Sequence, residues 1–190
     1  MDLTGLCEVL PVRRVSAGRP IVVGVSGYGG SGKSTLTRRL VQAIPGAVRL
    51  RGDDFLDPRR SHTWSRDWCG LERDRLVAEV LRPFRDGEEV WFRRFDWDVG
   101  RLTEPQTLPP ADYLVVDAVG LFHPITLPLL DVTIWCDVDL ATATARGRER
   151  DRRAGHDNDR LWTEVWEPTE RAFEEFFAPR AVAEVHYRPE

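Results

Sequence analysis

Gly27-Tyr28-Gly29-Gly30-Ser31-Gly32-Lys33-Ser34 sets four glycines, two serines and one lysine at the spacing G-x-x-x-x-G-K-S. Glycines let successive backbone N–H groups converge on an anion. A lysine at this spacing reaches β- and γ-phosphates, and the serine hydroxyl that follows ligates Mg²⁺. The pattern is the P-loop, and it implies binding of a nucleoside triphosphate. Lys33 is the sole lysine of the chain; the other 26 basic residues are arginine. A thin ammonium stem enters a phosphate cradle that a planar guanidinium does not fit, so lysine is kept here alone. The predicted phosphate-binding set is Gly27, Gly29, Gly30, Ser31, Gly32, Lys33, Ser34 and Thr35, with ATP and Mg²⁺ as the cofactors.

Carboxylates come next. Leu114-Val115-Val116-Asp117 reads as a buried strand ending in an acid, the form that holds Mg²⁺ beside a P-loop, here together with Ser34. The plainer alternative is an acid that merely ends a strand. Asp53 and Asp54 follow a second short strand, and strand carboxyl ends face the ligand crevice of a parallel sheet. One of this pair could deprotonate a substrate hydroxyl while the other braces the loop; the competing reading is a solvated turn. Arg146 to Arg153 is the densest cationic run, suited to neutralising a transferring phosphoryl group from a closing segment. It reads equally as a solvated helix face with pairs such as Glu149 and Arg153.

Seven tryptophans are many for this length. Trp64, Trp68 and Trp97 fall in polar, loop-like stretches near Asp67, Asp96 and Asp98, where an aromatic plate beside a carboxylate suits a ring and a sugar hydroxyl. Trp91, Trp135, Trp162 and Trp166 read as packing residues. Of the histidines, His123 and His186 read as structural and His62 and His156 fall in loops. None has metal-ligand spacing and none is given a role.

These residues need a scaffold, and the chain supplies the pattern of one. Ile21 to Val25 is a short apolar run before the glycine loop, and Ser34 to Ile44 reads as a helix ended by Pro45-Gly46. Further strands are expected at 47–50, 112–117, 132–136 and 182–187, an edge strand or hairpin at 89–95, and helices at 71–82, 139–153 and 161–177, with Pro168 a kink or break. Residues 59–70 and 96–111 read as loops, and 1–20 as an N-terminal extension. Strands alternating with helices predict an α/β fold, a single domain over 1–190 with a parallel sheet.

Composition narrows the classes. A charge of −4, from 27 basic and 31 acidic residues, gives no general attraction to nucleic acid or anionic membrane. Cys7, Cys69 and Cys136 are odd in number and scattered, which fits a reducing compartment and neither a zinc site nor a disulfide framework. No apolar stretch approaches spanning length, and Asp2 and Glu8 interrupt any basic leader, so a cytoplasmic protein is expected.

On Gly27 to Thr35, Asp53-Asp54-Phe55, Val115-Val116-Asp117 and the arginines of 146–153, the chain resembles the uridine kinase family of P-loop kinases, related to nicotinamide riboside kinase and phosphoribulokinase. The likeness spans about residues 20–187. It implies a three-layer α/β/α sandwich with a mostly parallel five-stranded sheet and a helical lid at about 146–158. It further implies that Asp53 is the general base toward a ribose hydroxyl and that Arg146 and Arg150 brace the phosphates together with Lys33. Ser34 and Asp117 hold the metal. Asp54, Asp67, Trp68, Phe95 and Trp97 fall on the acceptor side. The chain departs from the family at Leu56, at Trp68-Cys69 in place of an Asp-His-Pro-Asp signature, and at Ala118-Val119 after the strand-end acid.

The expected partners are therefore ATP and a small-molecule hydroxyl acceptor of nucleoside type, with a homo-oligomer compatible and neither nucleic acid nor membrane involved. Rival readings are a kinase for a non-nucleoside or a nucleoside monophosphate, the latter served by Arg59, Arg60, Arg66, Arg93 and Arg94, and an ATP-binding regulator without turnover. A guanine-reading Asn-Lys-x-Asp is excluded because the lone lysine is in the P-loop, and no Leu-Ser-Gly-Gly segment occurs.

Overall fold

The computed structural model describes residues 1–189. In chain order its strands are β1 (Ile21–Ser26), β2 (Ala47–Arg51), the two-residue β3 (Trp91–Phe92), β4 (Phe95–Asp96), β5 (Arg101–Leu102) and β6 (Gln106–Thr107), then β7 (Tyr113–Asp117), β8 (Val132–Cys136) and β9 (Val185–Tyr187). The helices are α1 (Leu3–Ala17), α2 (Lys33–Ala43), α3 (73–86), α4 (Leu140–Arg153), α5 (159–177) and the single turn α6 (Pro179–Val182). Five strands form one sheet in the order β2-β7-β1-β8-β9, each pairing parallel.

Alternation along the strands builds two cores. Ile21, Val23, Val25, Val115 and Ile134 pack with Leu6 and Leu10 of α1 and Leu36 and Leu40 of α2. Val22, Leu114, Val116 and Trp135 face the other way, against Leu76, Val80 and Leu81 of α3 and Phe173 of α5. Helices thus cover both faces, as an all-parallel sheet requires, and the expected three-layer sandwich is the fold. Strand order reverses beside β1, and the crevice outside the carboxyl ends of β1 and β7 is where such sheets take ligands.

Three local features differ from the sequence expectation. The N-terminal extension is a full helix, capped by Asp2 accepting from the Gly5 N–H at 2.9 Å and ended by Gly18 at φ 65°. Its Leu6 and Leu10 are fully buried, so it is part of one outer layer despite Pro11 in its interior. The helix expected to end at 82 runs on through Pro83, and at Pro168 the expected kink or break is a distortion without a break. In each case a π turn (Val77–Leu81 and Trp162–Trp166) stands just ahead of the proline. Proline lacks an N–H and its ring crowds the carbonyl four residues earlier, and a widened turn relieves both. Finally, the loop expected over 96–111 carries short strands, with β3 pairing β6 and β4 pairing β5, both antiparallel. Trp91 is not a packing residue; it is 55% exposed on this hairpin region.

Candidate active site

The glycine loop joins β1 to α2, and its shape explains its composition. Gly27, Gly30 and Gly32 have φ of 149°, 84° and 94°, a region that side chains rarely enter. Lys33 opens α2 and is buried; its ammonium donates to the Gly27 and Tyr28 carbonyls at 2.9 and 2.8 Å. Ser31 Oγ is buried without a hydrogen-bond partner among the described residues, an orphaned polar atom inside the loop. Thr35 is exposed at the next position, and its hydroxyl accepts from Arg38 at 3.4 Å. A wrapped backbone, a buried ammonium and an unpartnered hydroxyl are what a polyphosphate would complete.

Strand register brings the acids to this loop. Asp117 lies between Val25 of β1 and Arg51 of β2 as their paired residue in β7. The loop starts two residues after Val25, and Asp53 lies two residues after Arg51, so three strand ends meet at one edge. Asp117 is 5% exposed and accepts from Ser34 Oγ at 2.7 Å and Thr37 Oγ1 at 3.1 Å. Arg49, a charge within a strand otherwise flanked by Val48 and Leu50, donates to both of its oxygens at 2.9 and 3.2 Å. Sequence reasoning missed Arg49 and Thr37. A serine hydroxyl touching a carboxylate is a hard oxygen pair that fits Mg²⁺, which binds through few protein ligands and keeps water and phosphate oxygens.

Asp53 and Asp54 form a 3-10 turn, Gly52–Phe55, straight after β2. Asp53 is exposed, with Arg51 at 3.6 Å. Asp54 is half-buried; burial pushes its carboxyl up, while Arg51, Arg94 and Arg49 oppose that and Asp53 adds to it. Beside the turn, Phe95 of β4 meets Trp97 at 4.9 Å, and His62 lies 6.5 Å from Trp97 and 6.1 Å from Trp166 of α5. Of these, Phe95 is on the strand that packs against the carboxylate turn. One expected acceptor residue lies differently. Trp68 is 8% exposed, at φ 53°, with its ring against Gly120, so it packs in the core. Asp67 is half-buried; its backbone carbonyl accepts from Arg73 at 2.7 Å, which leaves its carboxylate available on the expected acceptor side. Arg73 also donates to the Gly120 carbonyl at 3.1 and 2.8 Å, tying this loop to the turn after β7. Its burial pulls the guanidinium pKa down to about 10.

The arginine run occupies the last two turns of α4. Arg150 pairs with Asp151, Arg148 with Asp159, and Arg153 with Glu149. Arg146 is exposed and has no carboxylate partner among the described residues. What anchors this helix is Trp162: its ring covers Gly147, and its Nε1 donates to Asp151 at 2.9 Å. The same helix presses on the P-loop. A Cβ on Gly30 would come within 2.1 Å of the Ala143 carbonyl oxygen and 2.7 Å of the Gly147 nitrogen. Gly30→Ala is therefore expected to lower stability by about 2 kcal/mol or more and to weaken nucleotide binding, because a left-handed position and a backbone clash combine. Thermal melting with and without ATP checks this.

Glu170 of α5 completes the surroundings. It is 3% exposed and its two oxygens accept the Gly29 N–H at 2.9 and 3.1 Å. Nothing in the sequence marked it, since the contact joins residues 141 apart.

Comparison with known proteins agrees with this geometry. The chain is 30% identical over 146 residues to a uridine kinase of Leuconostoc citreum, covering 70% of this chain and 69% of that protein. It is 25% identical over 174 residues to uridine kinase-like protein 3 of Arabidopsis thaliana, of whose length the match covers 37%. Among solved structures, a possible uridine kinase from Bacillus stearothermophilus superposes with a TM-score of 0.74 at 18% identity, over 97% of this chain and 96% of that one. A Silicibacter protein, provisionally assigned as a fructose transport system kinase, gives 0.74 at 20% identity over the full length of both. No protein-family profile matches the chain. No helix among the described residues is long and apolar enough to cross a membrane. The P-loop, its strand-end acid and the relatives together place the chain in the uridine kinase-like family of P-loop kinases.

Proposed function

We propose that the protein transfers the γ-phosphoryl group of ATP to a hydroxyl of a nucleoside or nucleoside-like acceptor. The observation that carries this reading is the register Val25–Asp117–Arg51, which aligns the phosphate loop, the buried acid and the Asp53-Asp54 turn at one sheet edge. Lys33 and the loop N–H groups bind the phosphates, and Ser34 and Asp117 would hold Mg²⁺, whose charge would offset that of the phosphates. Asp53 accepts the proton of the attacking hydroxyl, Phe95 and Trp97 flank the acceptor, and Arg146 and Arg150 approach the phosphates from α4.

A phosphorylated acceptor is the second reading. It is supported by Arg51 and Arg94, whose charges both act on Asp54 in the turn where the acceptor would lie. Mg²⁺-dependent ADP release across nucleosides, their monophosphates, nicotinamide riboside, pantothenate and simple sugars separates the two. Stimulation by one acceptor names the class; tight ATP binding with stimulation by none points to an acceptor outside the panel or to a nucleotide-binding regulator.

Arg49 gives a prediction about the metal site. Its side chain is 16% exposed and that of Asp117 6%, so Arg49→Leu leaves a buried carboxylate with hydroxyl partners only. Breaking such a pair costs about 3–5 kcal/mol. The variant is expected to melt lower than the parent without Mg²⁺ and to recover more of its melting temperature when Mg²⁺ is added. An equal Mg²⁺ response in both proteins counts against Asp117 as a metal partner.

A further inference from the structure

Glu170 is a carboxyl for which the proposed transfer has no use. A buried carboxylate is normally paired with a cation. Glu170 instead takes one backbone N–H of the P-loop, from Gly29. Lys33 is the cation nearest in influence, and its ammonium points at the Gly27 and Tyr28 carbonyls. α5 packs directly on the loop at Gly29: a Cβ there would lie 2.9 Å from Glu170 Oε1 and 2.7 Å from the Trp162 ring. An acid side chain thus holds an N–H of the loop that is built to receive phosphate.

We propose that Glu170 couples nucleotide binding to proton uptake: it is a carboxylate on the Gly29 N–H when the loop is free, and a neutral carboxyl when phosphate fills the loop. The inference rests on the reading of this loop as the nucleotide site. Phosphate brings negative charge to a carboxylate already shielded from water, and like charge in such a place favours the protonated form. Burial pushes Glu170 up, and with Lys33 and the Gly29 N–H pulling the other way it still stands at about 7. The surrounding charges do little to reverse that. Lys33 at the start of α2 favours the carboxylate and Glu167 on α5 opposes it. Glu174 of α5 is itself pushed up by burial, with the charge of Arg180 of α6 opposing that, and its Oε2 is buried without a hydrogen-bond partner among the described residues. Asp151 of α4 is held by Trp162, Asn158 and Arg150.

The sign follows from linkage. Above about pH 7 the free protein carries the carboxylate and the complex carries the neutral acid, so binding takes up a proton and weakens as pH rises, approaching tenfold per pH unit. A phosphate losing a residual proton on binding gives the opposite sign.

Calorimetric titration of the full chain with the non-hydrolysable ATP analogue adenylyl imidodiphosphate and Mg²⁺ tests this, run at pH 8 in HEPES and in Tris, whose ionisation enthalpies differ. Uptake approaching one proton per nucleotide is expected. Glu170→Gln keeps a carbonyl for the Gly29 N–H and has no proton to gain, so its affinity is expected to stay flat from pH 7.5 to 9 with no uptake. Thermal melting shows whether the variant is folded; the parent titration stands without it. Absence of uptake in the parent, or uptake that persists in folded Glu170→Gln, overturns the proposal. Absence of binding at any pH overturns the nucleotide reading of the loop and this inference with it.

Discussion

Lys33→Ala is expected to abolish measurable phosphoryl transfer, with kcat/KM falling at least about 10³-fold, the scale of removing a cation that stabilises a transferring phosphoryl group. The side chain is 8% exposed and donates to Gly27 and Tyr28 carbonyls, so in the free protein it is stowed along the loop it serves. Phosphate oxygens are stronger acceptors than carbonyls, and charge-assisted contacts to them are stronger than the pair they replace. Removal also withdraws the one cation that favours the Glu170 carboxylate, so an anionic ligand meets a less positive loop from two causes. Lys33→Arg is expected not to restore activity, since the planar fork cannot follow the stem of lysine into the cradle. Transfer assays with melting curves check this. Parent-like turnover in folded Lys33→Ala removes the P-loop assignment.

The parts of this site legible in the sequence are those fixed by local rules. Glycines that need left-handed φ, a helix opening at Lys33 and an apolar strand ending in Asp117 are each set within a few residues. What was not legible depends on residues far apart in the chain. Arg49 reaches Asp117 across 68 positions, and Glu170 reaches Gly29 across 141; no spacing rule connects either pair. The helix expected to stop at 82 runs on for a different reason. Pro11 lies inside α1, and π turns carry α3 and α5 through Pro83 and Pro168, because packing of Leu6, Val80 and Trp162 outweighs the local preference to stop. Trp68 shows the same limit, since a polar loop sequence gives no sign that its tryptophan turns inward onto Gly120.

Asp53→Asn is expected to leave ATP affinity nearly unchanged and to lower kcat by about 10²–10⁴-fold, the usual contribution of a general base. The choice within the pair turns on where each carboxyl lies. Asp53 has a side chain 58% exposed, at 3.6 Å from Arg51, free to meet an incoming hydroxyl. Asp54 is half-buried, and burial pushes its proton affinity up against the pull of Arg51, Arg94 and Arg49, which suits a brace on the turn. Asparagine at 54 keeps a hydrogen-bonding group of nearly the same shape. Its effect on kcat is therefore expected to be smaller than the about 10²-fold that marks loss of a base. The decisive comparison is kcat against KM for ATP in both variants at one pH, with melting curves to exclude unfolding. A large kcat loss in Asp54→Asn with a small one in Asp53→Asn reverses the assignment. Equal small losses in both would mean that neither carboxylate takes the proton, and that the loss of free energy at the barrier lies with phosphate binding by Lys33 and the loop.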